Sequence, residues 1–122
     1  MAESPLRDKS YQFALTTIRQ VRALRQQGRE HELTSQLLRS ATGVGANVEE
    51  ANAGQSRKDF VAKLAIARKE AHEARYWLRL LRDAEILDAA VVAILIEDCE
   101  ELIRMLTASV KTAQQARTST QH

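Results

Sequence analysis

The stretch FVAKLAIARKEAHEARYWLRLL, residues 60–81, reads as one amphipathic helix. Phe60, Leu64, Ala67, Ala71, Ala74, Leu78 and Leu81 recur at the 3.6-residue period and form a continuous apolar face. The period is wrong for a strand, whose side chains alternate between faces. Ser56, with Asp59 three residues on, is a variant of the capping box with a shorter acid than the usual Glu. This helix is expected over 57–82.

Three more helices follow from the same period. The first runs over about 5–27, with Ser4 as N-cap, Pro5 at the first helical position and Gly28 as its stop; Phe13, Ala14, Thr17, Ile18, Val21 and Leu24 form its core band. The second, about 32–53, carries Leu33, Leu37, Ala41, Val44, Val48 and Ala51, and Gly54 closes it. Gly43 and Gly45 interrupt its propensity but not its phase, which predicts close helix approach rather than a break. The fourth spans about 89–115 behind Val91, Val92, Leu95, Cys99, Leu102, Ile103, Leu106, Val110 and Ala113, and a polar tail, 117–122, is expected to fray. With four Gly and one Pro in 122 residues, turn chemistry for a β fold is missing. Short links between long helices make neighbours antiparallel. The expected architecture is therefore all-α: one domain, 1–122, forming an up-down-up-down four-helix bundle.

Several chemistries find no residues. One cysteine, Cys99, allows neither an intramolecular disulfide nor a cysteine-only zinc site, and on an apolar face it reads as a buried, inert thiol. The residues three before His31 and His72 are Gly28 and Lys69, so no Glu-x-x-His di-iron pattern exists, and no P-loop or His-Glu-x-x-His zinc helix is present. Glu49-Glu50 and Glu70 with Glu73 are expected as polar contacts between the second and third helices. No enzyme, cofactor, metal or small-molecule substrate is expected. No start resembling a secretory signal and no apolar run near the ~20 residues of a membrane span occurs, so the expected compartment is the cytoplasm, with no membrane partner.

The surface carries two features that a bundle core does not require. Ile66, Trp77 and Leu80, with Ala62, lie a quarter to half a turn from the core stripe of the third helix and form a candidate oligomer interface. Charge is also uneven. Residues 1–82 hold fifteen Lys/Arg and nine Asp/Glu, whereas 83–122 hold three and seven, within a net charge of +2. On the third helix Arg57, Arg68, Arg75, Arg79 and Arg82 project within roughly 60° of one another. On the first, Arg19, Arg22 and Arg29 share the side away from Phe13, with Arg25 at its border. Arginine suits bidentate phosphate contact. Two other readings stay open: pairing of these ridges with Glu97, Asp98, Glu100 and Glu101 of a neighbouring subunit, or simple solvation. No aromatic residues interleave the ridge as they would on a single-strand stacking platform.

The stretch LLRSATGVGANVEEA, residues 37–51, and Ser56-Arg57-Lys58-Asp59-Phe60 followed by Lys69-Glu70-Ala71-x-Glu73-Ala74-x-Tyr76-Trp77-Leu78-x-Leu80-Leu81 resemble the intervening-sequence protein family. Its founding members are encoded within insertions in bacterial 23S ribosomal RNA genes, and it was once mislabelled as ribosomal protein S23. The resemblance spans about Tyr11 to Gln114. It implies an antiparallel four-helix bundle assembled as a ring-like homopentamer, with Asn47, Glu50, Glu70, Glu73, Tyr76 and Trp77 as motif positions and no catalytic role for them. The family in turn resembles the accessory protein of diversity-generating retroelements, a basic pentamer that binds reverse transcriptase and nucleic acid; the near-neutral charge here departs from that pattern. The combined expectation is a non-enzymatic homo-oligomer that binds structured RNA or DNA through its arginine ridges. The alternative is a protein-scaffold module with no nucleic-acid role. Asn47 is expected to bond across helices, to Glu70, Glu73 or a backbone group.

Overall fold

Helix signals and helix ends coincide closely in the computed structural model, which describes residues 4–29, 31–54 and 56–120, with side chains through Gln115. The four helices are α1 (Pro5–Gln26), α2 (His31–Asn52), α3 (Arg57–Asp83) and α4 (Ala89–Thr120). Ser4 Oγ accepts the Arg7 N–H at 3.2 Å and Ser56 Oγ accepts the Asp59 N–H at 3.0 Å, so each serine satisfies a donor that the first turn leaves open. Asp88 caps α4 in the same way, accepting the Val91 N–H at 3.3 Å.

Two helices stop by the same device with different residues. After α1, Gly28 at φ 70° lets Arg29 N–H reach Leu24 C=O at 3.2 Å. After α3, Glu85 takes the same left-handed position at φ 60°, and Ile86 N–H reaches Leu81 C=O at 2.9 Å. A side chain at that φ is strained by roughly 1 kcal/mol where glycine is not. Replacing Glu85 by glycine is therefore expected to raise the unfolding midpoint, and Gly28→Ala to lower it, in a thermal melt. The fourth helix differs from expectation. It continues to Thr120 instead of ending near 115 ahead of a frayed tail, and the sequence there, Ala113-Gln114-Gln115-Ala116-Arg117, is made of good helix formers. Residues 121–122 lie outside the described residues.

The helices pack in cyclic order: α1 on α2, α2 on α3, α3 on α4, and α4 back on α1, with neither diagonal pair in contact. Pairings between early and late positions give the antiparallel sense: Arg7 with Glu49, Lys63 with Glu50, and Arg75 with Glu100. Phe13, Leu37, Leu64, Leu78, Leu95, Leu102 and Leu106 fill the interior. Ile18, expected in the core band, is instead 41% exposed at its edge. The buried hydroxyls of Ser10, Thr17, Thr34 and Ser40 each donate to a carbonyl of the preceding turn of their own helix, so burying them leaves no orphaned donor.

Alanines let α3 approach its neighbours. Ala67, Ala71 and Ala74 are fully buried, and against them Cys99 Sγ donates to the Ala71 carbonyl at 3.0 Å. Burial pushes the Cys99 thiol up to about 12. It is neutral at physiological pH and shielded, hence unreactive. A thiol reagent is expected to label the native protein only as fast as the protein opens globally; rapid native labelling would contradict this packing.

Helix α2 runs unbroken through both glycines. A Cβ on Gly43 would stand 2.8 Å from Glu70 Oε2, so that glycine leaves a hollow the Glu70 carboxylate occupies. A Cβ on Gly45 would meet Ser10 O of α1 at 3.6 Å, an ordinary contact. Helix propensity then favours alanine by roughly 1 kcal/mol, and Gly45→Ala is expected to raise stability by about that amount in a denaturant titration. A loss of stability would mean that α1 and α2 approach more closely than this.

Candidate nucleic-acid interface

The third helix sorts its charges by the neighbour they face. Toward α2 lies a seam of carboxylates and cations: Glu50 with Lys63 at 2.9 Å, Glu73 with Arg39, and Glu70 between them over Gly43. Asn47 does not cross this seam. Its Nδ2 donates to Gly43 O, one turn back in α2, at 2.8 Å. Asn52 does the same, donating to Val48 O at 2.9 Å, so a bond to the carbonyl one turn back in its own helix forms in place of the expected bridge to α3. Of the four glutamates expected between α2 and α3, Glu50 and Glu73 form ion pairs across that seam and Glu70 forms none among the described residues, while Glu49 turns to α1 instead and takes Arg7 in a two-point contact at 2.9 and 3.2 Å.

By helical phase Arg68, His72, Arg75 and Arg79, spaced four, three and four, share one side of α3, and of these Arg75 bonds to α4. His72 and Arg75 line a shallow groove of about 300 Å³ with Glu100, Ile103 and Arg104 of α4. Arg75 Nε donates to Glu100 Oε2 at 2.9 Å, which fixes one edge of its guanidinium and leaves the other edge to the groove. Sequence reasoning places Arg68, Arg75 and Arg79 here but passes over His72 and Arg104. His72 falls inside the ridge by the same arithmetic, four after Arg68, and is legible. Arg104 is not, because only the packing of α4 on α3 brings it across the groove.

The ridge arginines differ in what they already hold. Arg82 is bound by its neighbour Asp83 at 2.8 Å; that hydrogen bond raises the guanidinium above its usual value and lowers the carboxylate below its own. Arg82 is thus less available than expected, and Arg75 is half committed. Arg57, Arg68 and Arg79 form no ion pair among the described residues, nor do Arg19, Arg22 and Arg29, all exposed on α1 or just beyond it. Arg25 donates to Thr34 and Ser35 at 3.3 and 2.8 Å, tying the α1 end to α2. Because α1 and α3 are diagonal, their arginines lie on different sides of one chain and form no single patch.

The acids of α4 are largely used inside the chain. Lys9 pairs with Asp98 at 3.4 Å and Glu101 at 3.0 Å, and Glu100 takes Arg75. Desolvation of Lys9 opposes its charge, but the two carboxylates outweigh it and hold the ammonium above its usual value. Glu97 alone of the four acids is outside an ion pair among the described residues, which weakens the reading in which α4 neutralises a neighbour's ridges.

The apolar patch is only partly as expected. Ile66 and Leu80 are 42% and 39% exposed, whereas Trp77 is half-buried against the core, with its Nε1 donating to Glu73 Oε2 at 3.4 Å. Tyr76, 53% exposed, stands edge-on to the Trp77 ring at 5.3 Å. Among the described residues no three His, Cys, Asp or Glu side chains converge as a metal site, and no helix is long and apolar enough to cross a membrane.

Residues 3–108 match the model of the 23S rRNA-intervening sequence protein family. Among solved structures, the chain is similar to a protein of unknown function from the S23 ribosomal protein family from Bacteroides thetaiotaomicron, at 38% identity and a TM-score of 0.84, over 87% of this chain and 98% of that one. No curated protein matches.

Proposed function

The chain belongs to the 23S rRNA-intervening sequence protein family, and from that premise we propose that it is a non-enzymatic, cytoplasmic, self-associating bundle that binds structured RNA or DNA along the α3–α4 groove. One observation carries the reading. In-chain carboxylates engage Arg7, Lys9, Arg39 and Lys63, and on the α3 ridge Arg75 and Arg82, but among the described residues Arg68 and Arg79 form no ion pair, near the groove lined by His72, Arg75 and Arg104. Arginines at these spacings suit phosphate oxygens, and nothing in the row is built to read base edges, so binding is expected to follow shape and charge more than sequence. The test is binding of labelled duplex RNA and DNA by the wild type and by a variant with Arg68, Arg79 and Arg104 all changed to alanine. Equal binding by the two proteins would refute the groove as the site.

A second reading, an assembly module without a nucleic-acid role, draws on the exposed apolar residues Ile66, Tyr76 and Leu80 on the outer face of α3. The two readings share self-association and part on whether polyanions bind.

A further inference from the structure

The groove between α3 and α4 holds one side chain of variable charge. His72 lines it with Arg75, Glu100, Ile103 and Arg104. The ring is exposed, and among the described residues it takes part in no hydrogen bond or ion pair. It neither packs the core nor braces two helices, so its protonation is free to answer to whatever enters the groove. On its own helix, Arg68 lies four residues before it, and Lys69 and Arg75 lie three to either side. From α4 the groove receives Arg104 and Glu100, and Glu100 already takes Arg75 at 2.9 Å. Helix α2, on the other flank of α3, contributes nothing to the groove lining.

We propose that His72 is a phosphate contact of this groove, and that a polyanion bound there is held together with a proton on the His72 ring. The balance of charge supplies the reason. In the free groove Arg68, Lys69, Arg75 and Arg104 set positive charge around the ring against the single carboxylate of Glu100, so a proton on it is opposed. A phosphate lodged beside Arg75 and Arg104 reverses that balance. The ring then gains by charging, because imidazolium donates from both nitrogens where neutral imidazole donates from one. A charged donor also holds an anionic oxygen about twice as strongly as a neutral one. Histidine is the side chain whose charge ordinarily changes between about pH 5 and 8, which places the coupling in the physiological range.

This rests on the reading of the groove as a nucleic-acid site, and it adds a residue and a regulating ion to that site. Linkage fixes the sign. Binding that takes up a proton strengthens as pH falls and weakens as it rises, and the bound polyanion in turn favours the proton by the same factor. The contact is to phosphate and reads no base, so the effect is expected on any duplex. No change of fold is needed: the chain grips a polyanion more firmly at lower pH through one exposed ring.

The test follows binding of one labelled RNA duplex without terminal phosphates, because phosphate monoesters titrate in the same range as histidine. Wild type, His72→Gln and His72→Arg are compared near pH 8 and near pH 6, with helicity confirming that each is folded. The wild type is expected to bind about three- to tenfold more tightly near pH 6, with a log–log salt slope steeper there by about one unit. His72→Gln keeps a polar side chain but cannot take up the charge. It is expected to match the wild type near pH 8 and to lose most of both effects near pH 6. His72→Arg, charged throughout, is expected to bind near pH 8 as the wild type does near pH 6. The other two histidines, His31 and His122, are kept in every variant, so their part cancels in the comparison. A wild type whose affinity ignores pH, or a His72→Gln protein with the wild-type pH dependence, overturns this inference and leaves the groove reading standing. A variant with Arg68, Arg79 and Arg104 all changed to alanine that binds like the wild type overturns the groove reading, and the inference falls with it. So does a wild type that binds no duplex at either pH.

Discussion

Truncating Phe13 to alanine is expected to lower the unfolding free energy by about 3–5 kcal/mol. Phe13 is 2% exposed and is the one aromatic ring fully within the core among the described residues. It belongs to α1, the helix with the sparsest packing, held to α4 chiefly near Lys9 and to α2 along the Ser10–Gly45 approach. The neighbours, Leu- and Val-rich helices already anchored to one another, have little freedom to close around the void. Since domains of this size hold roughly 5–15 kcal/mol in total, the variant is expected to be marginal, with α1 exchanging its amide hydrogens well before α3. A chemical-denaturation midpoint shifted by less than the equivalent of about 1 kcal/mol would mean that α1 contributes little to the fold.

The bundle itself is legible because its signals are local and redundant. Ser4-Pro5, Gly28, Gly54 and Ser56 each mark a helix end by chemistry that acts within one turn, and the apolar stripes of α2 and α3 keep phase for five or more turns. Where the signal is weak, expectation and structure part. Nothing in the residues after 111 says where α4 stops, and it stops later than expected. Ile18 shares the Phe13 band by angle but lies at its edge, because helical phase does not say how wide a face the neighbours cover. Trp77 reads as surface for the complementary reason: its angle on α3 is outward, but a side chain that long folds back onto the core and onto Glu73.

The site is legible only in part. The arginine row on α3 follows from spacing alone, and His72 lies within it. What α4 places opposite the row, Arg104 with Glu100, depends on the relative register of two helices, which no local pattern encodes. The same holds for which arginines remain unpaired. Arg82 sits beside Asp83 in the chain, so its pairing is a local matter, but Arg75 with Glu100 and Arg39 with Glu73 are tertiary. The Asn47 bond departs from expectation through a local competitor, the carbonyl of Gly43 four residues back.

The second large effect concerns the groove. If Arg68, Arg79 and Arg104 contact phosphates, replacing all three by alanine is expected to cut affinity for duplex RNA or DNA by about tenfold or more at low salt, because each contact releases condensed counterions. The fold should be unaffected, since none of the three makes an in-chain ion pair or hydrogen bond among the described residues. Affinity alone does not separate a lost contact from a rearranged surface; its salt dependence does. The decisive measurement is therefore the slope of log affinity against log salt concentration for the wild type and the triple variant on the same duplex. A linear fall is expected for both proteins, shallower in the variant by about one unit for each arginine removed. Equal affinities and equal slopes would contradict binding along the groove.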